Sequence, residues 1–294
     1  MSLAEIAPDP DTLVDRLRDV GYLADPGLAT ALFCAMRLPQ PLLLEGEAGV
    51  GKTQAAASLA QLLDTPLIRL QCYEGIDASE ALYEWNYPRQ LLGIRLAEAQ
   101  GGDLVEDSLF GPQYLVGRPL LRAIEHPGPR PAVLLIDEVD RADEEFEAFL
   151  LEMLAESAVT IPEIGTVRAA YPPVVVLTSN RTRDLHDALK RRCLYHWIDY
   201  PDLAHATDIV RLRVPDAPPA LAAQIAGAVQ RLRSLDVQKP PGVAEAIDWL
   251  NAVSLLGLDR LDGAAVERTL GSVLKYREDH DLAREEGLAW VSDG

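Results

Sequence analysis

Residues 46–53 constrain this chain more than any other stretch. Gly46-Glu47-Ala48-Gly49-Val50-Gly51-Lys52-Thr53 fits the pattern G-x-x-x-x-G-K-[ST]. An apolar run, Pro41-Leu-Leu-Leu-Glu45, precedes it, and from Lys52 to Leu63 apolar residues recur at helical spacing. The motif therefore falls between a strand and a helix, the context in which it binds phosphate. Glycines let the backbone curl so that successive N–H groups point inward at phosphate oxygens, and the helix start adds its positive end. On this reading Lys52 bridges the β- and γ-phosphates and Thr53 ligates Mg²⁺. A Gly-rich strand-to-helix turn is the plainer alternative.

Further apolar runs follow. Pro66–Leu70, Pro131–Ile136, Pro173–Thr178 and Leu194–Ile198 read as strands, and Glu144 to Glu156 as a helix with Phe146, Phe149, Leu150 and Met153 on one stripe. Strands alternating with helices imply an α/β fold with a parallel five-stranded sheet wrapped on both faces. Beyond Pro201 the patterns are all helical, punctuated by Pro215, Pro218-Pro219, Pro240-Pro241-Gly242 and Gly263. The expected division is an αβα core over 1–200 and a helical domain over 201–294, with a small hairpin near 159–167.

Leu134-Leu-Ile-Asp137-Glu138 is an apolar strand ending in two carboxylates. A buried strand aims its last residues at the crevice above the carboxyl edge of the sheet. Asp137 there would bind Mg²⁺ through water, and Glu138 would orient and deprotonate the attacking water. Asn180 ends the fourth strand, where an amide can reach a γ-phosphate or the lytic water; a turn-forming Asn is the alternative. Lys190-Arg191-Arg192 closes a helix, where cations are favourable in any case.

Composition narrows the field. A net charge of −19 argues against a chain whose main task is coating nucleic acid or anionic membrane. The three cysteines, Cys34, Cys72 and Cys193, are far apart, so neither a disulfide framework nor a thiolate zinc site is expected and a reducing cytoplasmic setting is the default. Cys193-x-x-His196 lacks a second half and reads as packing. The N-terminus has no basic segment followed by an apolar one, so no signal peptide is expected, and no apolar run approaches membrane-spanning length.

These pieces, in this order, resemble the AAA+ ATPases, and more narrowly the MoxR family, where the acid pair is followed by a stretch like Asp140-Arg141-Ala142. Ala81–Tyr87, Leu185–Pro201 and Lys239–Trp249 are similar to the CoxD-type subgroup. The resemblance implies Asn180 as sensor 1 and Arg192 as an arginine finger reaching a neighbouring subunit, with Arg191 the alternative. It implies that Tyr22 and Leu23, within Gly21–Ala24, border the adenine, and that the hairpin at 159–167 is the insert in helix 2. Arg141 either reaches across an interface or forms a structural ion pair. Tyr83, Trp85 and Tyr87 are packing residues or pore-lining ones. Val243 stands where many relatives carry a sensor-2 arginine, with Lys239 the nearest cation. The implied assembly is a hexameric ring using ATP and Mg²⁺. Its implied task is chaperone-like, maturing or metal-loading a molybdenum enzyme of the carbon monoxide dehydrogenase type, with a von Willebrand factor A domain partner. A nucleic-acid motor and a nucleotide-gated scaffold with little turnover are the competing readings.

Overall fold

The computed structural model describes residues 3–99 and 109–286. Nine strands lie among them: β1 Leu42–Gly46, β2 Leu67–Gln71, β3 Tyr83–Trp85, β4 Leu115–Gly117, β5 Val133–Asp137, β6 Ala158–Ile161, β7 Gly165–Arg168, β8 Val174–Ser179 and β9 Leu194–Ile198. Five of them make one sheet in the order β2-β5-β8-β1-β9. The pairs β2–β5, β5–β8 and β8–β1 run parallel. Sequence dictates these places. β1, β5 and β8 are near-continuous apolar runs and every residue in them is buried, as strands covered on both faces must be. β2 alternates exposed and buried residues, and it takes an edge.

Four of the strands begin a residue or two later than the apolar runs suggest, because each run opens on a proline. Proline has no N–H to give the ladder. Pro41 and Pro66 contribute only their carbonyls, which accept from the N–H groups of Leu194 and Val133 at 2.8 and 3.1 Å.

The chain divides into two compact units. One comprises residues up to 20, 24–45 and 53–196; the other comprises 21–23, 46–52 and 197 onward. In the first, helices begin where acidic residues cap them. Asp25 accepts from the N–H groups of Gly27 and Leu28 ahead of Pro26–Arg37, and Asp143 accepts from Phe146 ahead of Glu144–Glu156. Such caps are worth about 1 kcal/mol each. The core gathers Leu43, Ile68, Leu70, Leu134, Ile136, Leu150 and Leu177, each fully buried aliphatic side chain contributing about 1.5–3 kcal/mol.

The hairpin expected at 159–167 forms as β6–β7, antiparallel, with Val159 facing Val167. It stands between the helix Glu144–Glu156 and β8, however, and not within the helical segment that follows β2. That segment is the interrupted one. Between Ala78–Leu82 and Pro119–Ile124 the chain inserts the antiparallel pair β3–β4 and the helix Tyr87–Ala99. Tyr83 and Trp85 pack against the core from this insert, while Tyr87 is exposed.

The second unit is helical: Leu203–Arg213, Pro219–Arg233, Val243–Leu255, Gly263–Thr269 and Arg277–Glu285. Its core centres on Trp249, with Ile225, Leu232, Leu250 and Val266 around it. The Trp249 indole N–H is fully buried and donates to Thr269 Oγ1 at 2.7 Å, which in turn donates to the Ala265 carbonyl. An unpaired indole there would cost about 1–3 kcal/mol.

Candidate nucleotide site

The parallel register brings the carboxyl ends of neighbouring strands into line. Gln71 pairs with Asp137, and Glu45 with Ser179. This edge of the first unit is polar and tightly connected. Asp137, 3% exposed, accepts from Thr53 Oγ1 at 3.1 Å, from Arg69 Nη2 at 2.6 Å and from Thr178 Oγ1. The same Thr178 hydroxyl accepts the Glu138 backbone N–H at 2.9 Å. Glu138 sits at φ 55°, ψ 49°, a left-handed conformation unusual for a residue with a side chain. Its carboxylate takes Gln71 Nε2 at 3.1 Å and Arg141 Nη1 at 3.4 Å. Arg141 thus forms an ion pair within the chain.

Asn180 follows Ser179 at the end of β8 and is half-buried. Residues around it fix the turn. Ser179 Oγ accepts the Arg181 N–H at 3.0 Å and reaches buried Glu45, which also accepts from Tyr195. Asp140, 2% exposed, accepts both the N–H and the hydroxyl of Thr182, at 2.8 and 2.7 Å. Arg183 is held inward by the fully buried Glu147. Arg192 is exposed and donates to the Leu151 carbonyl at 2.9 Å, beside a cavity of about 250 Å³ lined by Pro39, Leu154, Leu189 and Arg191.

Cys72 lies next to this edge, its N–H bonded to the Asp137 carbonyl. Burial, then the negative charges of Asp137, Asp140 and Glu138, push its thiol up to about 12; burial alone does the same for Cys193. Neither is poised as a thiolate. His196 faces Asp25 at 3.8 Å and the backbone of Gly27. Among the described residues, no three His, Cys, Asp or Glu side chains gather as metal ligands.

The loop 46–52 belongs to the second unit and is held by backbone. Lys52 is buried, and its ammonium donates to the Gly46 and Glu47 carbonyls, each at 2.7 Å. Gly46 has no room for a side chain, since a Cβ would lie 2.4 Å from the Ile198 carbonyl oxygen. Tyr22 reaches the Gly51 carbonyl with its hydroxyl at 3.5 Å, and half-buried Leu23 follows it. Val243 is buried, with its N–H on the Gly49 carbonyl, whereas Lys239 is exposed and its N–H is bonded to Asp279. Arg233 stacks over the Tyr200 ring at 4.3 Å and donates to the Pro241 carbonyl; burial pulls its pKa down.

Taken separately, the edge of the first unit fits magnesium and the loop of the second fits phosphate. A hydroxyl and a carboxylate 3.1 Å apart are hard oxygen donors, and Mg²⁺ typically takes only one or two protein ligands beside phosphates and water. The buried Lys52 ammonium, which donates to two loop carbonyls, is a cation of the kind that phosphate takes.

Arg69, Gln71, Thr178 and Glu45 were not legible as site residues. Arg69 and Gln71 lie two apart on one face of an alternating strand, which is a signal only once β2 is known to flank β5.

Known proteins resemble the chain at three levels. The denitrification regulatory protein NirQ of Stutzerimonas stutzeri is 27% identical over 205 residues, covering 67% of this chain and 64% of NirQ. An uncharacterized protein of Staphylococcus haemolyticus is 25% identical over 255 residues, 82% of this chain and 86% of that one. Among solved structures, the Thermotoga maritima RuvB Holliday junction branch migration motor aligns with a TM-score of 0.49 at 18% identity, over 89% of this chain and 70% of that one. The AAA domain of the dynein-related subfamily matches residues 41–193, just over half the chain, from the proline before β1 to the cysteine after Arg192. Four of the five strands of the main sheet, the glycine loop and the acid pair fall inside that span, and the chain is a member of this AAA family.

Proposed function

We propose that the protein is an ATP-hydrolysing AAA+ machine of the MoxR type, nearest the CoxD-type subgroup, that remodels a client enzyme. The observation that carries the reading is the strand-end constellation: the Thr53 hydroxyl 3.1 Å from Asp137, with Glu138 next in the chain. Lys52 and the loop amides hold the phosphates. Thr53 and Asp137 hold Mg²⁺, which when bound neutralises developing phosphate charge. Glu138 takes the proton of the attacking water, and Asn180 orients that water against the γ-phosphate. Tyr22 and Leu23 border the base. Residues 1–200 form the nucleotide-binding core and 201–294 the helical lid.

Arg192 supplies charge to the transition state of a neighbouring subunit, so hydrolysis depends on assembly into a ring, a hexamer by family habit. The client reading is supported by the three CoxD-like stretches and by NirQ, a relative named for regulating denitrification. A molybdenum enzyme of the carbon monoxide dehydrogenase type is the proposed client, and a von Willebrand factor A domain protein the proposed partner, in the cytoplasm. The −19 charge speaks against a nucleic-acid motor. Affinity purification of the Glu138→Gln protein with ATP tests this. Recovery of such a partner with a metalloenzyme is the expected result. Recovery of neither, with hydrolysis stimulated by DNA, would overturn it in favour of a motor.

A further inference from the structure

The glycine loop and the helix Val243–Leu255 meet backbone to backbone. The Gly49 carbonyl accepts from the N–H groups of Val243 and Ala244 at 3.1 and 3.4 Å. These are the first two amides of that helix, which have no partner inside it. Gly242, just before, donates its N–H to Glu245 Oε2 at 2.9 Å and fixes the helix start. The approach leaves no space for a side chain on Gly242 and crowds one on Gly49. A Cβ on Gly242 would lie 2.8–2.9 Å from Gly49 Cα, C and O, and one on Gly49 would lie 2.8 Å from Glu245 Oε2. Gly49 also has φ +79°, where a side chain is strained.

The consequence lies in the next peptide. In a trans peptide the C=O and the following N–H point in opposite directions. Tying the Gly49 carbonyl to the positive end of the helix turns the Val50 N–H away from that helix. Val243, which by the family resemblance stands where many relatives carry a cation, contributes its amide.

We propose that the Val243 amide, admitted by the bare Gly242, is a positioning group for the phosphate loop: it sets the Gly49–Val50 peptide so that the Val50 N–H faces the nucleotide's phosphates. The helix Val243–Leu255 then acts on the nucleotide through loop backbone, in place of a side-chain cation. This rests on the nucleotide-binding reading above.

Two substitutions test it. Val243→Pro removes one donor, at a helix position where proline is well accommodated, after a Gly242 whose extended backbone (ψ −169°) lies outside the α region that a following proline disfavours. Gly242→Ala forces the two backbones apart. Each is expected to weaken ADP, measured by calorimetry, by about fivefold or more, the scale of one hydrogen bond. KM for ATP should rise in step while kcat holds, because the interaction is present in ground and transition states alike. Wild-type ADP affinity in both variants would overturn the proposal. Hydrogen exchange on the unmodified protein needs no variant to fold. A protected Val243 amide, and a Val50 amide that slows when ADP is added, support the proposal. A Val243 amide exchanging as in an unstructured chain, or a Val50 amide indifferent to ADP, overturns it. If the unmodified protein binds no ADP at all, the nucleotide reading itself fails. That outcome is distinct from one in which wild type and variants bind equally.

Discussion

The strand-end edge and the glycine loop are built in opposite ways. At the edge, side chains hold side chains: Thr53, Arg69 and Thr178 converge on Asp137, and Gln71 and Arg141 on Glu138. In the loop, backbone does the holding. Lys52 turns onto the carbonyls of Gly46 and Glu47, and Gly49 is bound by helix amides. The difference separates two tasks. A mesh of side chains can place a base and a metal ligand, and one substitution changes the chemistry. A curled backbone presents N–H groups to charge, so substitutions there change how tightly phosphate is held.

The largest effect that sharpens this division comes from outside both regions. Arg192→Ala should bind ATP nearly as wild type and lose about a hundredfold in turnover, somewhat less than the 10³–10⁵ that such arginines supply elsewhere. Mixing it with Glu138→Gln should recover activity above either alone, since some interfaces then pair an intact base with an intact arginine. No recovery, with mixed rings shown by native mass spectrometry, would move the role to Arg191.

Thiol reactivity is a separate readout, a labelling rate and not a turnover. With Cys72 and Cys193 pushed from 9.0 to about 12, their thiolate fraction at pH 8 falls by roughly 10³. Because folding raises these pKa values, the folded form prefers the neutral thiol, and stability declines as pH rises above about 9. Alkylation at pH 8 should spare both until the protein is unfolded; fast labelling of Cys72 in the native protein would mean that the edge is open.

A smaller effect is expected at Arg69, which is half exposed and paired with Asp137, the proposed Mg²⁺ ligand. Arg69→Gln should lower the Mg²⁺ concentration needed for half-maximal hydrolysis by about fivefold, the scale of one ion pair discounted for the solvent that reaches Arg69. A raised requirement would show that the guanidinium assists the metal instead. The smallest expected effect is none: a generic oligonucleotide at physiological salt should leave the ATPase rate unchanged, given the −19 charge.

Legibility in the sequence follows the same contrast. Apolar runs identified all five strands of the main sheet, most plainly β1, β5 and β8, because strands buried on both faces have little compositional freedom. Gly46–Thr53 and Asp137–Glu138 were readable because their residue types are tied to position. The β3–β4 insert was missed, since three-residue strands carry too little alternation to register. The polar partners of the acids depend on strand order: Gln71 meets Glu138 only because β2 lies beside β5. The contact between Gly49 and Gly242 joins residues almost two hundred positions apart through backbone alone, and glycine identity does not reveal a partner.

The central proposal, that the loop holds phosphate and the edge does the chemistry, is tested most directly by measuring ATP affinity and phosphate release on the same samples of Lys52→Ala and Glu138→Gln. The account predicts that Lys52→Ala loses about 10- to 100-fold in affinity, the worth of charge-assisted hydrogen bonds. Glu138→Gln should keep its affinity and lose at least about a hundredfold in turnover, the share of a general base. Wild-type affinity in Lys52→Ala, or undiminished hydrolysis by Glu138→Gln, would contradict it.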